Sequence, residues 1–128
     1  MIFSRRDMIG TAAATLLLQG CRTPMEELSY DDALFGMIGQ LKAIPGKRDE
    51  LARLLIEGSG SMPGNLAYIV AKDAKDADGV WVTEIWKDAA SHKASLSLPQ
   101  VRAAIAKARP IIAGFGVSAE VIPVGGKH

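Results

Sequence analysis

Apolar side chains recur along this chain with two different spacings, which separate strand-like from helix-like segments. Segments that alternate, or run apolar between turn residues, predict four strands, at residues 34–44, 65–71, 80–86 and 115–124. Segments with apolar side chains three and four positions apart predict three helices, at residues 47–58, at residues 89–98 and from Pro99 onward. Proline suits the first turn of a helix, and Pro110 is expected to end or kink the third one.

The order of these elements predicts the fold class. Two strand–helix halves flank a central hairpin, an arrangement that favours a ferredoxin-like α+β fold, with an antiparallel sheet and its helices on one face. The predicted domain, residues 34–125, has no further element for the other sheet face. A second copy placed face to face would cover that face, so we expect a homodimeric α+β barrel. Light scattering checks this expectation, and a monomer mass would count against it.

The N-terminus is typical of an export signal. Arg5 and Arg6 precede a short apolar run that is too short to span a bilayer, which predicts a twin-arginine signal peptide over residues 1–20. The sequence Leu18-Gln19-Gly20-Cys21 resembles a lipobox, in which Cys21 would be lipidated and hold the protein on a membrane. Residues 21–33 would then be a polar tether. A simple signal peptide with a chance cysteine, or a membrane-facing helix, are the alternatives.

Composition excludes several classes of function. The chain of 128 residues has one Cys and two His, so a disulfide framework and a conventional zinc or iron site are not expected. Its formal charge of +1 falls to 0 without the first twenty residues, and nucleic acid is therefore not an expected partner. A phosphate-binding glycine loop and a dinucleotide fingerprint are both missing from the sequence. If the protein is an enzyme, we expect it to work without a bound metal or nucleotide.

The candidate chemistry lies on and after the third predicted strand. Alternation places Glu84 and Trp86 on one face, and His92 follows in the next helix. His92 is a candidate general base, Asn65 and Tyr68 could position a substrate oxygen, and Trp86 could stack on a flat aromatic ring.

Each of these residues also has a structural interpretation. A single helical His is often a surface or capping residue, and Trp81 and Trp86 could belong to the core or to an interface. Glu84 could pair with a Lys or Arg across strands, and Asn65 could be a turn residue. Two helical cations, Arg102 and Arg109, are expected on a solvated helix face.

In their order and spacing, these residues resemble the antibiotic biosynthesis monooxygenase family and its quinol monooxygenase branch. The matching segments are Pro45-Gly46-Lys47, Asn65-Leu66-Ala67-Tyr68, Glu84-Ile85-Trp86, Ser91-His92, Leu98-Pro99, Val101-Arg102 and Gly114-Phe115. The resemblance implies a dimeric α+β barrel that oxidises a quinol or phenol with O₂, without metal or flavin. It implies His92 as the base, Asn65 and Tyr68 as oxygen-positioning groups and Trp86 as the pocket wall. Glu84 would either orient His92 or support the pocket.

Two other functions fit the same residues. A non-catalytic dimeric protein that binds a hydrophobic aromatic ligand would quench Trp fluorescence without O₂ uptake. Haem binding or breakdown would give a Soret band on haemin titration that disappears in His92→Ala. The export signal would place any of these activities at the cell envelope, beside the membrane.

Overall fold

The computed structural model describes residues 34–127, which form one α+β unit up to Pro123. The expected signal peptide, the tether and the candidate lipidation site at Cys21 lie outside the described residues. Among the described helices, none has both the length and the apolar character needed to cross a membrane.

The described elements confirm the predicted order and the ferredoxin-like fold class. The strands are β1 (Phe35–Ala43), β2 (Asn65–Lys72), β3 (Gly79–Trp86) and β4 (Ile112–Val121). The helices are α1 (Arg48–Gly58), α2 (Ala89–Ser95) and α3 (Pro99–Ala108), followed by a 3₁₀ turn at Arg109–Ile111. All strand pairs are antiparallel and the sheet order is β2-β3-β1-β4. The connections between strands therefore carry α1 and the α2–α3 pair onto the sheet.

The predicted bounds of two elements, the last strand and the second helix, were wrong, each for local reasons. The last strand begins at Ile112, not at residue 115, because Ile112 pairs with Ala43 directly after the 3₁₀ turn. It ends at Val121, before Pro123, which has no N–H to continue the ladder. The helix α2 ends at Ser95 because the next three backbone N–H groups donate to carbonyls three residues back, and Leu98 is extended before Pro99.

The core lies where α1 and α3 meet the end of the sheet. Leu51 and Leu54 of α1 are buried, as the helical spacing predicts, and Val80 of β3 is fully buried beside them. Gly58 allows α1 to approach α3 closely, since a Cβ at this position would lie 2.6 Å from the Cβ of Ala104. A larger side chain at residue 58 would therefore push the two helices apart.

The two faces of the sheet differ in their cover. The β3 residues at even positions, Val80, Val82, Glu84 and Trp86, face the helices, and the first two and Trp86 are buried. The opposite, open face carries apolar side chains that keep substantial exposure. Ile38 is 36% exposed and Ile69 is 57% exposed, with Thr83 between them in the strand register. This is the face that the sequence leaves without an element to cover it.

Asp73 organises the loop between β2 and β3. One carboxylate oxygen accepts hydrogen bonds from the backbone N–H groups of Lys75 and Asp76, at 2.8 Å each. The other accepts from Trp81 Nε1 at 2.7 Å and from Gln40 Nε2 at 3.1 Å. These donors, led by the backbone N–H of Asp76, lower the pKa of Asp73 to about 2. The loop is therefore tied to the open face of the sheet through an ionised carboxylate.

Asp73→Asn is expected to lower the thermal stability at pH 7, because an amide cannot accept all four bonds. The carboxyl has a folded pKa of about 2, below its ordinary value of 3.8. Its stabilisation is therefore fully present above about pH 4 and is lost as the pH falls through about 2. Thermal unfolding followed by circular dichroism at pH 7, 4 and 2 should show a smaller loss on acidification in Asp73→Asn. An identical pH dependence in both proteins would contradict this assignment.

Candidate active site

A cavity of about 500 Å³ lies between the helix-covered face of the sheet and the three helices. Its walls are mainly apolar, and they include side chains three and four positions apart on α3. The apolar lining residues include Leu41, Leu55, Met62, Leu96, Val101, Ala104, Ile105, Ala108, Ile112 and Phe115. A cavity of this size and lining suits a compact, largely apolar ligand.

Three titratable side chains line one part of this cavity: Tyr68, Glu84 and His92. Tyr68 and Glu84 are direct neighbours across β2 and β3. His92 Nε2 lies 3.9 Å from Glu84 Oε1, and the two side chains are 20% and 16% exposed. The same Glu84 oxygen accepts a hydrogen bond from Trp86 Nε1 at 2.9 Å. The sequence-predicted group is thus brought together around Glu84.

Aromatic rings hold the imidazole of His92 in place. Phe35 stacks on it, with ring centroids 5.0 Å apart and an angle of 29°. Trp86 contacts it edge-on, at 5.6 Å and 70°. Asp88 caps the N-terminus of α2, the helix that carries His92, and its carboxylate accepts a hydrogen bond from the backbone N–H of Ser91 at 2.7 Å. The ring therefore has a fixed position beside the carboxylate of Glu84.

Burial, with a smaller contribution from the charge of Glu84, raises the pKa of Tyr68 well above its ordinary range. The phenol therefore stays protonated at neutral pH and can donate a hydrogen bond into the cavity. Glu84 accepts but does not donate when it is ionised. The site consequently offers a donor, an acceptor and an imidazole to one ligand.

Asn65 lies elsewhere than the sequence analysis expected. Its side-chain nitrogen donates to the carbonyls of Ala67 at 3.0 Å and Ile85 at 3.3 Å, and Asn65 is not among the described residues that line the cavity. These bonds span an irregularity in the β2–β3 pairing between Asn65 and Ala67. Asn65 therefore holds the start of β2, from which Tyr68 follows.

Three lining or contacting residues were missed by the sequence analysis. Phe35 comes from the start of β1, and no local motif signals its contact with His92. Ser95 is buried on the cavity wall, and its hydroxyl donates to the His92 carbonyl at 2.6 Å. Arg109 is exposed, as expected for a solvated face, yet it also lines the cavity. Arg109 stands four residues after Ile105, and this helical spacing is the sequence feature that could have placed it beside the cavity.

A second cavity of about 360 Å³ adjoins the first. The two share five lining residues, Leu41, Leu55, Tyr68, Glu84 and Phe115. Tyr68 and Glu84 thus stand where the two spaces meet. Within residues 34–127 there is no group of three or more His, Cys, Asp or Glu side chains that could hold a metal ion.

The comparison with protein families decides the affiliation of the chain. The model of the antibiotic biosynthesis monooxygenase family matches residues 34–107, more than half of the sequence. The chain belongs to this family. A solved structure from Chloroflexus aurantiacus J-10-fl carries the same family description and is 52% identical to this chain. The match covers 75% of this chain and 98% of that one, with a TM-score of 0.74.

More distant structures of the family share the fold. One from Bacteroides thetaiotaomicron VPI-5482 has a TM-score of 0.67 at 17% identity, covering 75% of this chain and 96% of that one. Another, from Caulobacter crescentus CB15, has a TM-score of 0.62 at 20% identity, covering 80% and 97%. No curated protein matches the chain. Family membership supports a monooxygenase-like function, and the resemblance to this family is confirmed.

Proposed function

We propose that this protein is a cofactor-independent monooxygenase that oxidises a quinol or a related phenol with O₂. The observation that carries the proposal is the convergence of Tyr68, Glu84 and His92 on one apolar cavity walled by Trp86. An aromatic ring fits the apolar walls, and its hydroxyl group can meet the three polar side chains. Family membership supports the reaction class.

The proposed first step is removal of the phenolic proton by His92. Glu84, 3.9 Å from His92 Nε2, stabilises the imidazolium that forms and holds the ring in orientation. Tyr68 donates a hydrogen bond to the substrate oxygen, which becomes a stronger acceptor as its negative charge grows. The aromatic contacts of Phe35 and Trp86 keep His92 from turning away.

The electron-rich anion then reduces O₂ directly. One oxygen atom enters the ring and the other leaves as water, so that a phenol and O₂ give a quinone and water. The four electrons that reduce O₂ all come from the organic substrate, and the described residues need only bind, deprotonate and shield it. The apolar walls keep water from the intermediate.

A second copy on the open sheet face is part of the proposal. The exposed side chains Ile38 and Ile69 lie on this face with Ala67, Thr83 and Ile85. Contact with a second copy would remove their apolar surface from water, which is favourable. Export and lipid anchoring through Cys21 would place this homodimer at the cell envelope, where reduced quinones and other apolar phenols dissolve in the membrane.

Oxygen uptake with a panel of reduced quinones and phenols tests the function. We expect uptake above the buffer rate that saturates with substrate, and with ¹⁸O₂ we expect one labelled atom in the product. Boiled protein is the control, because quinols oxidise unaided. If members of the panel quench Trp fluorescence at low concentration but none of them gives oxygen uptake, the result would favour the binding-protein alternative.

A further inference from the structure

The mouth of the cavity is bordered by apolar side chains that remain exposed to solvent. Leu96, directly after α2, is 50% exposed, Ile105 of α3 is 38% exposed and Phe115 of β4 is 77% exposed. All three also line the cavity. A ligand inside the cavity can cover their inner sides only, so their outer sides form an apolar border around the opening.

Basic side chains accompany this border. Arg102 and Arg109 stand three residues before and four residues after Ile105, so all three share a helix face. Lys93 of α2 stands three residues before Leu96. The side chains of Lys93, Arg102 and Arg109 are all exposed. We call the six residues Lys93, Leu96, Arg102, Ile105, Arg109 and Phe115 the rim.

The chain segment that carries the rim has charges of one sign. Between Asp88 and Glu120 the sequence contains four Lys or Arg residues and no Asp or Glu. The acidic residues of the described chain lie mainly in α1 and in the β2–β3 loop, on other elements. An apolar border beside cations, carried by a segment without carboxylates, complements a surface that offers anionic head groups above an apolar layer.

We propose that the rim docks on an anionic lipid bilayer, so that the cavity opens toward the membrane. The exposed apolar side chains would enter the head-group region, and Lys93, Arg102 and Arg109 would contact lipid phosphates. A bilayer fits better than an acidic protein partner because the exposed apolar side chains also line an apolar cavity, which a lipid-dissolved ligand could enter without crossing water. Docking is a binding event and does not depend on turnover of the proposed substrate.

The experiment uses residues 34–128, which contain the four strands and three helices of the compact unit that ends at Pro123. Since the sole cysteine of the protein is Cys21, this fragment has none. Leu96→Cys carries an environment-sensitive fluorophore on the rim, and Ala74→Cys carries it on the exposed β2–β3 loop as the matched control. We expect a blue shift of the rim label with phosphatidylglycerol vesicles, and little shift with phosphatidylcholine vesicles or for the loop label.

Charge variants test the role of the cations. Each Lys or Arg near an anionic surface contributes about 1 kcal/mol, or roughly a fivefold change in partitioning. The triple variant Lys93→Gln, Arg102→Gln, Arg109→Gln should therefore bind phosphatidylglycerol vesicles about a hundredfold more weakly in co-sedimentation. The control triple variant Lys47→Gln, Arg53→Gln, Lys75→Gln removes the same charge from α1 and the β2–β3 loop, and should change binding far less.

Several results would overturn the proposal. These are no vesicle binding, equal binding to both lipids, equal losses in the two triple variants, or a larger shift for the loop label. A blue shift of the rim label that grows with protein concentration without vesicles would assign the rim to a second copy instead. Because none of these readouts involves oxygen, they stand apart from failure of the proposed oxidation.

Discussion

His92→Gln is expected to lower kcat for oxygen uptake by about 10²- to 10⁴-fold, the usual contribution of a general base. The imidazole lies 3.9 Å from the carboxylate of Glu84 and packs against two aromatic rings. Glutamine keeps a polar side chain of similar reach but cannot take the phenolic proton at neutral pH. The loss should therefore fall on turnover rather than on binding.

Ligand binding separates this role from a structural one. Trp86 lines the cavity, so its fluorescence reports occupancy by an aromatic ligand. We expect the Kd of a quinone product in His92→Gln to stay within about threefold of the wild-type value while kcat collapses. Lys107→Gln, an exposed change on α3, is the matched control and should retain full turnover. Wild-type kcat in His92→Gln would move the proton acceptor elsewhere, with Glu84 as the next candidate.

Glu84 could be placed from the sequence because one rule decides its orientation. Alternate residues of a strand point to opposite faces, so the period of two puts Glu84 with the buried Val80, Val82 and Trp86. His92 then needed only a short helix to reach the same cavity. Local periodicity and a short connection were therefore sufficient to predict that Glu84 and His92 lie in the same site.

The contacts from distant strands could not be obtained in this way. Phe35 reaches His92 because β1 pairs with β3 in a register that places Phe35 opposite Trp86. Register depends on how two strands pair in space, and the pattern within either strand leaves it open. Asn65 illustrates the same limit, since the irregular pairing at the start of β2 directs its amide to backbone carbonyls.

The final strand shows how local composition can mislead. The sequence predicts its start at residue 115, where the alternation of apolar side chains begins, whereas the strand begins at Ile112 and includes Gly114 and Gly116. In the structure Gly116 lies against Gln40, where a Cβ would come within 2.2 Å of its side-chain oxygen. A side chain at residue 116 would have to displace the end of Gln40, so this glycine leaves room for a neighbour in β1 and lies inside the strand.

Trp86→Ala is expected to be the most destabilising single substitution in the site. Trp86 is fully buried, and removal of its indole would leave a large void between β3 and α2. Replacing a buried Trp by Ala commonly costs about 3–5 kcal/mol. Since domains of this kind have a free energy of unfolding of only about 5–15 kcal/mol, the loss is a large fraction of the total.

The same substitution removes the donor that holds Glu84, because Trp86 Nε1 donates to Glu84 Oε1 at 2.9 Å. Trp86→Phe separates the two effects, since phenylalanine fills much of the volume but has no N–H. In urea unfolding followed by circular dichroism, the free energy of unfolding of Trp86→Phe should lie between those of wild type and Trp86→Ala. Turnover in Trp86→Phe should still fall, because Glu84 loses the hydrogen bond that holds its carboxylate. Trp81→Ala, on the open face and partly exposed, is the matched control and should cost less stability than Trp86→Ala. Equal losses at the two tryptophans would contradict the central place of Trp86 in both the fold and the site.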